Sequence, residues 1–427
     1  MKNLAAHLLL LYSLCLAAQT NSIQNSPTLT EGTPSAQGMS QERLDKIDLM
    51  LSSEISKGNL PGAVALIARN GKIVFHKAYG MANTEKGEEM EKDAIFRIAS
   101  QTKAITATAV MMLWEEGKFK LDDPISKYIP QFEAAQILDT FNEADSTYTT
   151  KPAENQITIR DLITHTSGIG YGMIDGDARF RKIYAKAGII DAFTSEKIRI
   201  GENIKKLATL PLHHEPGEAW TYSEGLDVLG YFIEIVSGMP FDAFLRTRIF
   251  EPLQMNDTYF YLPMEKVNRL VAVQHKDGNK WKRFETPVFD IDYPNSPGTF
   301  FSGGAGLSST ARDYANFLQM YLNGGELNGK RLLSRTTVNS ILSNQIGTIW
   351  DGGKDYGLAF EIVNKKGAMA GGEGSEGTFS WGGYFNTQYF ADPKENVIGI
   401  IMKQTQGSVN DDTGWKFRQM VFTTIDD

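Results

Sequence analysis

Ser100-Gln101-Thr102-Lys103 opens a run, Ala104 to Glu116, whose apolar residues Ile105, Ala109, Met112 and Leu113 recur at helical spacing. That i, i+4, i+7, i+8 pattern predicts a helix with one buried stripe, stopped at Gly117. Ser100 then belongs to the first turn, where backbone N–H groups lack intrahelical partners and can hold an oxyanion. Lys103, three residues on, projects from the same face and can take the serine's proton. As a bare pattern S-x-x-K is weak, since a chain with 43 Lys plus Arg offers about one chance match. Only this one occurs, and its helical setting suits the chemistry.

The 427 residues suffice for roughly two to three domains or one large two-lobed enzyme. Hydrophobic residues make up 41% and charged residues 22%, an ordinary globular composition that argues against global disorder. With a net charge of −8 and no clustered Lys and Arg, nothing recommends nucleic acid as a partner. Lys2, the leucine-dominated run Leu8 to Leu16, and Ala17-Ala18 before Gln19 form an export signal over residues 1–19. The expected protein is therefore periplasmic or secreted. The run is too short to span a bilayer. The single cysteine, Cys15, follows Leu14 where a lipoprotein signal has a small residue, which argues against a lipid anchor. Cleavage leaves a chain without thiol or disulfide chemistry.

Residues 20–38, rich in Ser, Thr, Asn, Gln and Pro, read as a flexible leader ahead of one domain over 39–427. A helix is predicted from Gln41 to Lys57. Two strands, Gly62 to Ala68 and Lys72 to Tyr79, are joined by Asn70-Gly71, a strong hairpin signal. Helical patterns dominate from Ser100 to about Phe250, with a polar, exposed insertion at Glu133 to Gln156. Strand-like runs return at Tyr356 to Val363, Gly383 to Ala391 and Val397 to Lys403. The chain ends thus build one antiparallel sheet with flanking helices, an α/β fold. The middle, about 100–290, forms a mostly helical lobe, with the active site between them.

A Pro-Gly turn delivers the aromatic run Pro216-Gly217-Glu218-Ala219-Trp220-Thr221-Tyr222-Ser223 just before a helix near Leu226. Together with Ser100-x-x-Lys103 it resembles the serine β-lactamase and penicillin-recognising superfamily, most closely class C β-lactamases and family VIII carboxylesterases. Leu162 to Gly168, Asp227-Val228-Leu229-Gly230, Glu251 to Met255 and Gly303 to Thr310 fit the same resemblance, which covers nearly everything from Gln41 onward. It implies a β-lactamase/transpeptidase-like fold that needs no cofactor or metal. By that resemblance Ser100 is the acylated nucleophile, Lys103 its base or relay, and Tyr222 the phenol that passes the proton to the leaving group. Neither an isolated phenol nor an isolated ammonium is a base at pH 7, and ionising a free phenol there costs roughly 4 kcal/mol. A neighbouring ammonium offsets much of that cost.

Trp381-Gly382-Gly383 stands where the family places a sheet-edge tripeptide. β-Lactamases and D-Ala-peptidases carry Lys or His there, whereas Trp-Gly-Gly resembles the family VIII esterases. The backbone N–H of Tyr384, with that of Ser100, is the implied oxyanion hole. Trp381 reads as a pocket residue, with a packed core aromatic as the bland alternative. The family's Tyr-x-Asn is Tyr222-Ser223-Glu224 here. Two readings stay open: a carboxylate near Lys103 that holds the ammonium and weakens the base, or a side chain that points to solvent. Tyr171 to Tyr184 reads either as a lid over an acyl pocket or as ordinary helical packing.

Rival signals carry less. Gly372-Glu373-Gly374-Ser375-Glu376-Gly377 matches a dinucleotide fingerprint, but no helix follows and two glutamates sit where pyrophosphate would approach. No G-x-S-x-G elbow occurs, His165 reads as structural, and His213-His214-Glu215 lacks metal-ligand spacing. The expected function is ester hydrolysis of a small molecule through an acyl-enzyme on Ser100. The alternatives are an amide-directed relative (a D-amino-acid peptidase, a penicillin-binding protein or a weak β-lactamase), an acyltransferase, and a non-catalytic binding module. Oligomeric state is not legible.

Overall fold

In the computed structural model, Asn70 and Gly71 both take positive φ, 53° and 75°, as a two-residue hairpin turn requires. They join β2 (Gly62–Arg69) to β3 (Lys72–Asn83) in the expected register, Arg69 opposite Lys72. Residues 20–407 and 411–427 are described; the stretch expected to be an export signal, with Cys15, lies outside the described residues. The remaining strands of the main sheet are β1 (Thr30–Glu31), β4 (Lys354–Tyr356), β5 (Glu361–Val363), β6 (Phe379–Gly382), β7 (Gln388–Asp392) and β8 (Val397–Met402). Their order is β4-β5-β6-β7-β8-β2-β3-β1, with Glu88–Glu89 added to the end of β3. Every pairing is antiparallel except β1 on β3. Both chain ends therefore meet in one sheet, through β8 on β2.

Strand β2 is buried along its whole length because both faces of the sheet are covered. Its odd positions Ala63, Ala65 and Ile67 pack with Leu44, Ile47 and Leu51 of helix α1 (Gln41–Ser56) and Phe417 and Val421 of the C-terminal helix Thr413–Thr423. Its even positions Val64, Leu66 and Ala68 enter the larger core shared with Phe317, Leu318 and Tyr321. Ser40 caps α1 by accepting the Arg43 N–H.

Three expectations need correcting. Residues 20–38 are not a free leader: Thr20–Asn21 pairs with Lys330–Arg331, and Thr30–Glu31 extends the main sheet. The helix after Ser100, α2 (Thr102–Glu115), is buried on every side through Leu113, because it runs through the middle of the helical lobe against the helix Gly225–Ser237. Its threonines make this possible: Thr106 donates to the Gly303 carbonyl (2.7 Å) and Thr108 meets the Tyr321 hydroxyl (2.7 Å). Finally, the run Gly383 to Ala391 becomes a strand only at Gln388, since Gly383 to Thr387 makes the turn between β6 and β7. The polar insertion forms an exposed hairpin, Gln136–Phe141 with Tyr148–Pro152.

Ile47 is fully buried between α1 and the sheet. Ile47→Ala should lower stability by roughly 2–5 kcal/mol, read as a drop in the urea midpoint at unchanged slope. An unchanged midpoint would show that this face of α1 is not packed.

Candidate active site

Ser100 sits in a single tight turn, Ala99–Gln101, that feeds directly into α2. Ala99 is held at φ 43°, a conformation a Cβ disfavours at a cost of roughly 1–3 kcal/mol. The surroundings impose it. Ile98 N–H donates to the Leu307 carbonyl (3.0 Å), Leu307 N–H to Thr102 Oγ1 (3.1 Å), and the Tyr314 hydroxyl to the Gln101 carbonyl (3.0 Å). From the sheet side, Gly383 lies flat against this turn. A Cβ there would come within 2.5 Å of the Ile98 carbonyl oxygen and closer still to Thr387 Oγ1. Only glycine lets the end of β6 approach the Ser100 turn so closely.

Lys103 is 1% exposed. Its Nζ donates to the Gly304 carbonyl at 2.8 Å and lies 3.0 Å from Tyr171 Oη and 3.4 Å from Ser100 Oγ. The Tyr222 ring covers it at 4.6 Å. Tyr222 Oη donates to Ser100 Oγ at 2.6 Å. The three residues singled out as a proton-transfer unit thus converge on one oxygen. Behind them, Ser302 Oγ donates to Asp227 Oδ1 at 2.6 Å, and Gly304 N–H also reaches this carboxylate. Asp227 therefore fixes the loop whose carbonyl holds Lys103.

The sequence reading missed Tyr171, which completes the coordination of Lys103. It lies in a turn organised by buried Asp175, whose Oδ2 accepts the Tyr171 N–H (2.8 Å) and faces His213 Nε2 (3.0 Å). Burial pushes the Tyr171 phenol well up, with Tyr222 and Asp227 adding to the effect, so it stays protonated. Nothing in a lone tyrosine marks it for this place; only its position six residues after His165 in the Leu162–Gly168 neighbourhood offered a hint.

Tyr222 belongs to an aromatic cluster. It stacks on Tyr171 (5.4 Å) and Trp220 (6.0 Å), with His165 at 4.8 Å and Trp381 at 6.0 Å. His165 holds its loop: the His165 carbonyl accepts the Thr221 N–H (2.8 Å), and Nδ1 accepts the Ser223 N–H (3.2 Å). A backbone N–H can only donate, so the ring hydrogen is on Nε2. Burial, then the charge of Lys103, holds this imidazole well below its usual range and keeps it neutral. His165 is a prop for Tyr222 and does not touch Ser100.

Glu224 does not face solvent: it is 1% exposed, and the solvent-pointing alternative is overturned. Its carboxyl is pushed well up by burial, then by Asp191 and Asp227, with Lys103 opposing. After burial, the nearby Asp191 is the strongest influence against ionising Glu224, which favours its protonated carboxyl. Asp191 in turn accepts the Met173 N–H.

A cleft of about 510 Å³ opens over Ser100, lined by Tyr222, Trp381, Gly382, Gly383 and Tyr384. Trp381 is half-buried with one side on this cleft and the other against Tyr356, 5.6 Å away. Lys354 and Arg418 also line it, each beside the carboxylates of Glu361 or Glu373. The glycine-rich stretch Gly372 to Gly377 contributes only Glu373 to this wall. Among the described residues no three His, Cys, Asp or Glu side chains are placed to hold a metal. No single described helix is long and apolar enough to cross a membrane.

Comparisons with known proteins bear on the family and the fold that hold this serine, lysine and tyrosine. The beta-lactamase family model matches residues 40–420. The chain belongs to the beta-lactamase family. Esterase EstB of Burkholderia gladioli is 30% identical over 377 residues, covering 84% of this chain and 90% of its own. Lovastatin esterase of Penicillium rubens is 28% identical over 380 residues, covering 83% and 91%. Among solved structures, EstCE1, described as a hydrolase with promiscuous acyltransferase activity, superposes with a TM-score of 0.78 at 24% identity, over 90% of this chain and 99% of that one. The protein is a serine hydrolase with the β-lactamase/transpeptidase-like fold.

Because its folded carboxyl titrates above the unfolded value of 4.5, Glu224 stabilises the fold fully below that pH. As pH rises, the unfolded chain ionises first, and this contribution is lost up to the raised folded value. Glu224→Gln should remove the slope, so its stability relative to wild type should grow as pH rises above 4.5 in urea titrations. Parallel curves would mean that Glu224 ionises in the fold as it does in the unfolded chain.

Proposed function

We propose that this hydrolase cleaves carboxylic esters through an acyl-enzyme on Ser100. The observation that carries the proposal is the 2.6 Å hydrogen bond from Tyr222 Oη to Ser100 Oγ, with Lys103 Nζ 3.4 Å from the same oxygen. In the form of the pair that has lost one proton, a Tyr222 phenolate beside the Lys103 ammonium takes the proton from Ser100 Oγ–H as the oxygen attacks the acyl carbon. The N–H groups of Ser100 and Tyr384 receive the oxyanion. Tyr222 then protonates the departing alkoxide, and water releases the acyl group by the same relay in reverse. Since an alkoxide is a better leaving group than an amide nitrogen, a relay of this kind suffices for esters.

The wall beside Ser100 supports esters over β-lactams and D-alanyl peptides. Trp381 supplies an indole where a carboxylate-binding enzyme of this family has a cation, and the cleft's own cations, Lys354 and Arg418, already face Glu361 and Glu373. The 30% identity to a protein named an esterase points the same way. Export is proposed as well, on Lys2, the run Leu8 to Leu16 and Ala17-Ala18 alone.

Two outcomes are expected. First, p-nitrophenyl esters of short acids should be cleaved with kcat/KM well above that for nitrocefin or D-alanyl peptides, and Ser100→Ala should lose turnover and fluorophosphonate labelling while remaining folded. A nitrocefin rate equal to the ester rate would overturn the substrate class, and Ser100→Ala activity above about a thousandth of wild type would overturn the nucleophile. Second, Lys103→Ala and Tyr222→Phe should each lower kcat by about a hundredfold or more, with the double variant far from additive. Clean additivity would separate the two residues into independent roles.

A further inference from the structure

Ser100 faces two spaces of very different size. One is the cleft of about 510 Å³, which includes Tyr222 in its lining. The other is a recess of about 20 Å³ lined by Tyr171, Met173, Ile174, Phe193 and Ala305, without Tyr222. Tyr384 borders both. The tetrahedral carbon formed on Ser100 carries the serine oxygen, the oxyanion, the leaving oxygen and the acyl chain. The leaving oxygen must reach the proton donor, Tyr222, so the alcohol portion occupies the large cleft. The acyl chain is left with the recess. Measured in the same way the cleft has about 510 Å³ and the recess about 20 Å³, so the recess takes only a short acyl chain.

The recess ends at a thin partition. Met173, Asp191 and Phe193 line it, and the same three residues line a separate space of about 890 Å³ on the far side. The lining of that outer space mixes apolar residues, Ile189, Ile190, Ile198 and Val288, with charged ones, Arg181, Glu196, Lys206 and Asp290. Phe193 cannot turn aside: it is buried and packed on Phe289 (5.3 Å), Tyr293 (5.5 Å) and Phe385 (5.3 Å). Met173 is half-buried and tied down through its backbone N–H to Asp191. We infer that Phe193 and Met173 set the acyl-chain length of this enzyme, closing a passage that otherwise continues from Ser100 into the outer space, so that its substrates are short-acyl esters of bulky alcohols. The inference rests on the ester reading of Ser100.

The test uses the purified full-length protein and p-nitrophenyl esters from acetate to decanoate, which hold the leaving group constant. Wild type should lose about tenfold or more in kcat/KM between propionate and octanoate. Phe193→Ala should raise the octanoate-to-acetate ratio about tenfold or more, and Phe193→Trp should lower the butyrate-to-acetate ratio. Met173→Ala, at a half-buried position, should move the ratio in the same direction as Phe193→Ala and serves if the latter fails to fold. Chain-length profiles of Phe193→Ala and Met173→Ala that superimpose on wild type would overturn the partition while leaving the ester reading intact. So would a wild type that takes octanoate as fast as acetate. Failure of wild type and all variants to cleave any of these esters would refute the ester reading itself, and this inference with it.

Discussion

Burying the ammonium of Lys103 is the constraint around which the rest of the site is built. Removing a lysine head group from water costs several kcal/mol unless the protein supplies equivalent partners. Here the partners are one carbonyl, Gly304; one phenol, Tyr171; one hydroxyl, Ser100; and two ring faces, Tyr222 and Tyr171. Each needs its own support. Asp227 and Ser302 hold the Gly304 loop, Asp175 holds the Tyr171 turn, and His165 holds the Tyr222 loop. The helical lobe therefore exists, in energetic terms, to bring three loops against one side chain of a fully buried helix.

The sheet contributes the opposite wall, and its contribution is positional. Gly383 lets β6 press on the Ile98–Ala99 backbone, and Ala99 absorbs the resulting geometry in a left-handed conformation. Strain of this sort persists only where neighbours over-determine it, and here hydrogen bonds from the 302–307 loop and from Tyr314 do so. Rigid walls on both sides favour a preorganised oxyanion site over one assembled on binding.

How much of this was legible from sequence follows from range. Local signals were read correctly: the Asn70-Gly71 hairpin, the helix starting at Gln41 and the exposure of the polar insertion all depend on residues near one another, although the insertion's hairpin pairing was not foreseen. Ser100, Lys103 and Tyr222 were nameable because motif and resemblance carried them, and the fold brings them together. What depends on distant packing was not legible. The apolar stripe on α2 gave no warning that Thr102, Thr106 and Thr108 are buried too, because threonine's hydroxyl finds its partners on segments some 200 residues away. The polar leader looked free because its pairing lies in backbone hydrogen bonds, which composition does not record. Tyr171, Tyr356 and Trp350 entered the aromatic cluster without any local mark.

Glu224 shows why a departure from a family pattern must be judged in its surroundings. A carboxylate where the family has an amide looks like a change of charge beside the catalytic lysine. Burial reverses that expectation. With Glu224 buried and Asp191 and Asp227 close by, a second or third negative charge is opposed more strongly than Lys103 can favour it. A protonated carboxyl presents one donor and one acceptor, much as an amide does. It can donate to Asp191, whose other oxygen anchors Met173. The pocket thus favours an uncharged side chain where the family has asparagine. Asp191 also accepts the Met173 N–H, so the segment that carries Tyr222 and the Met173 turn approach one another at a buried pair of acidic side chains.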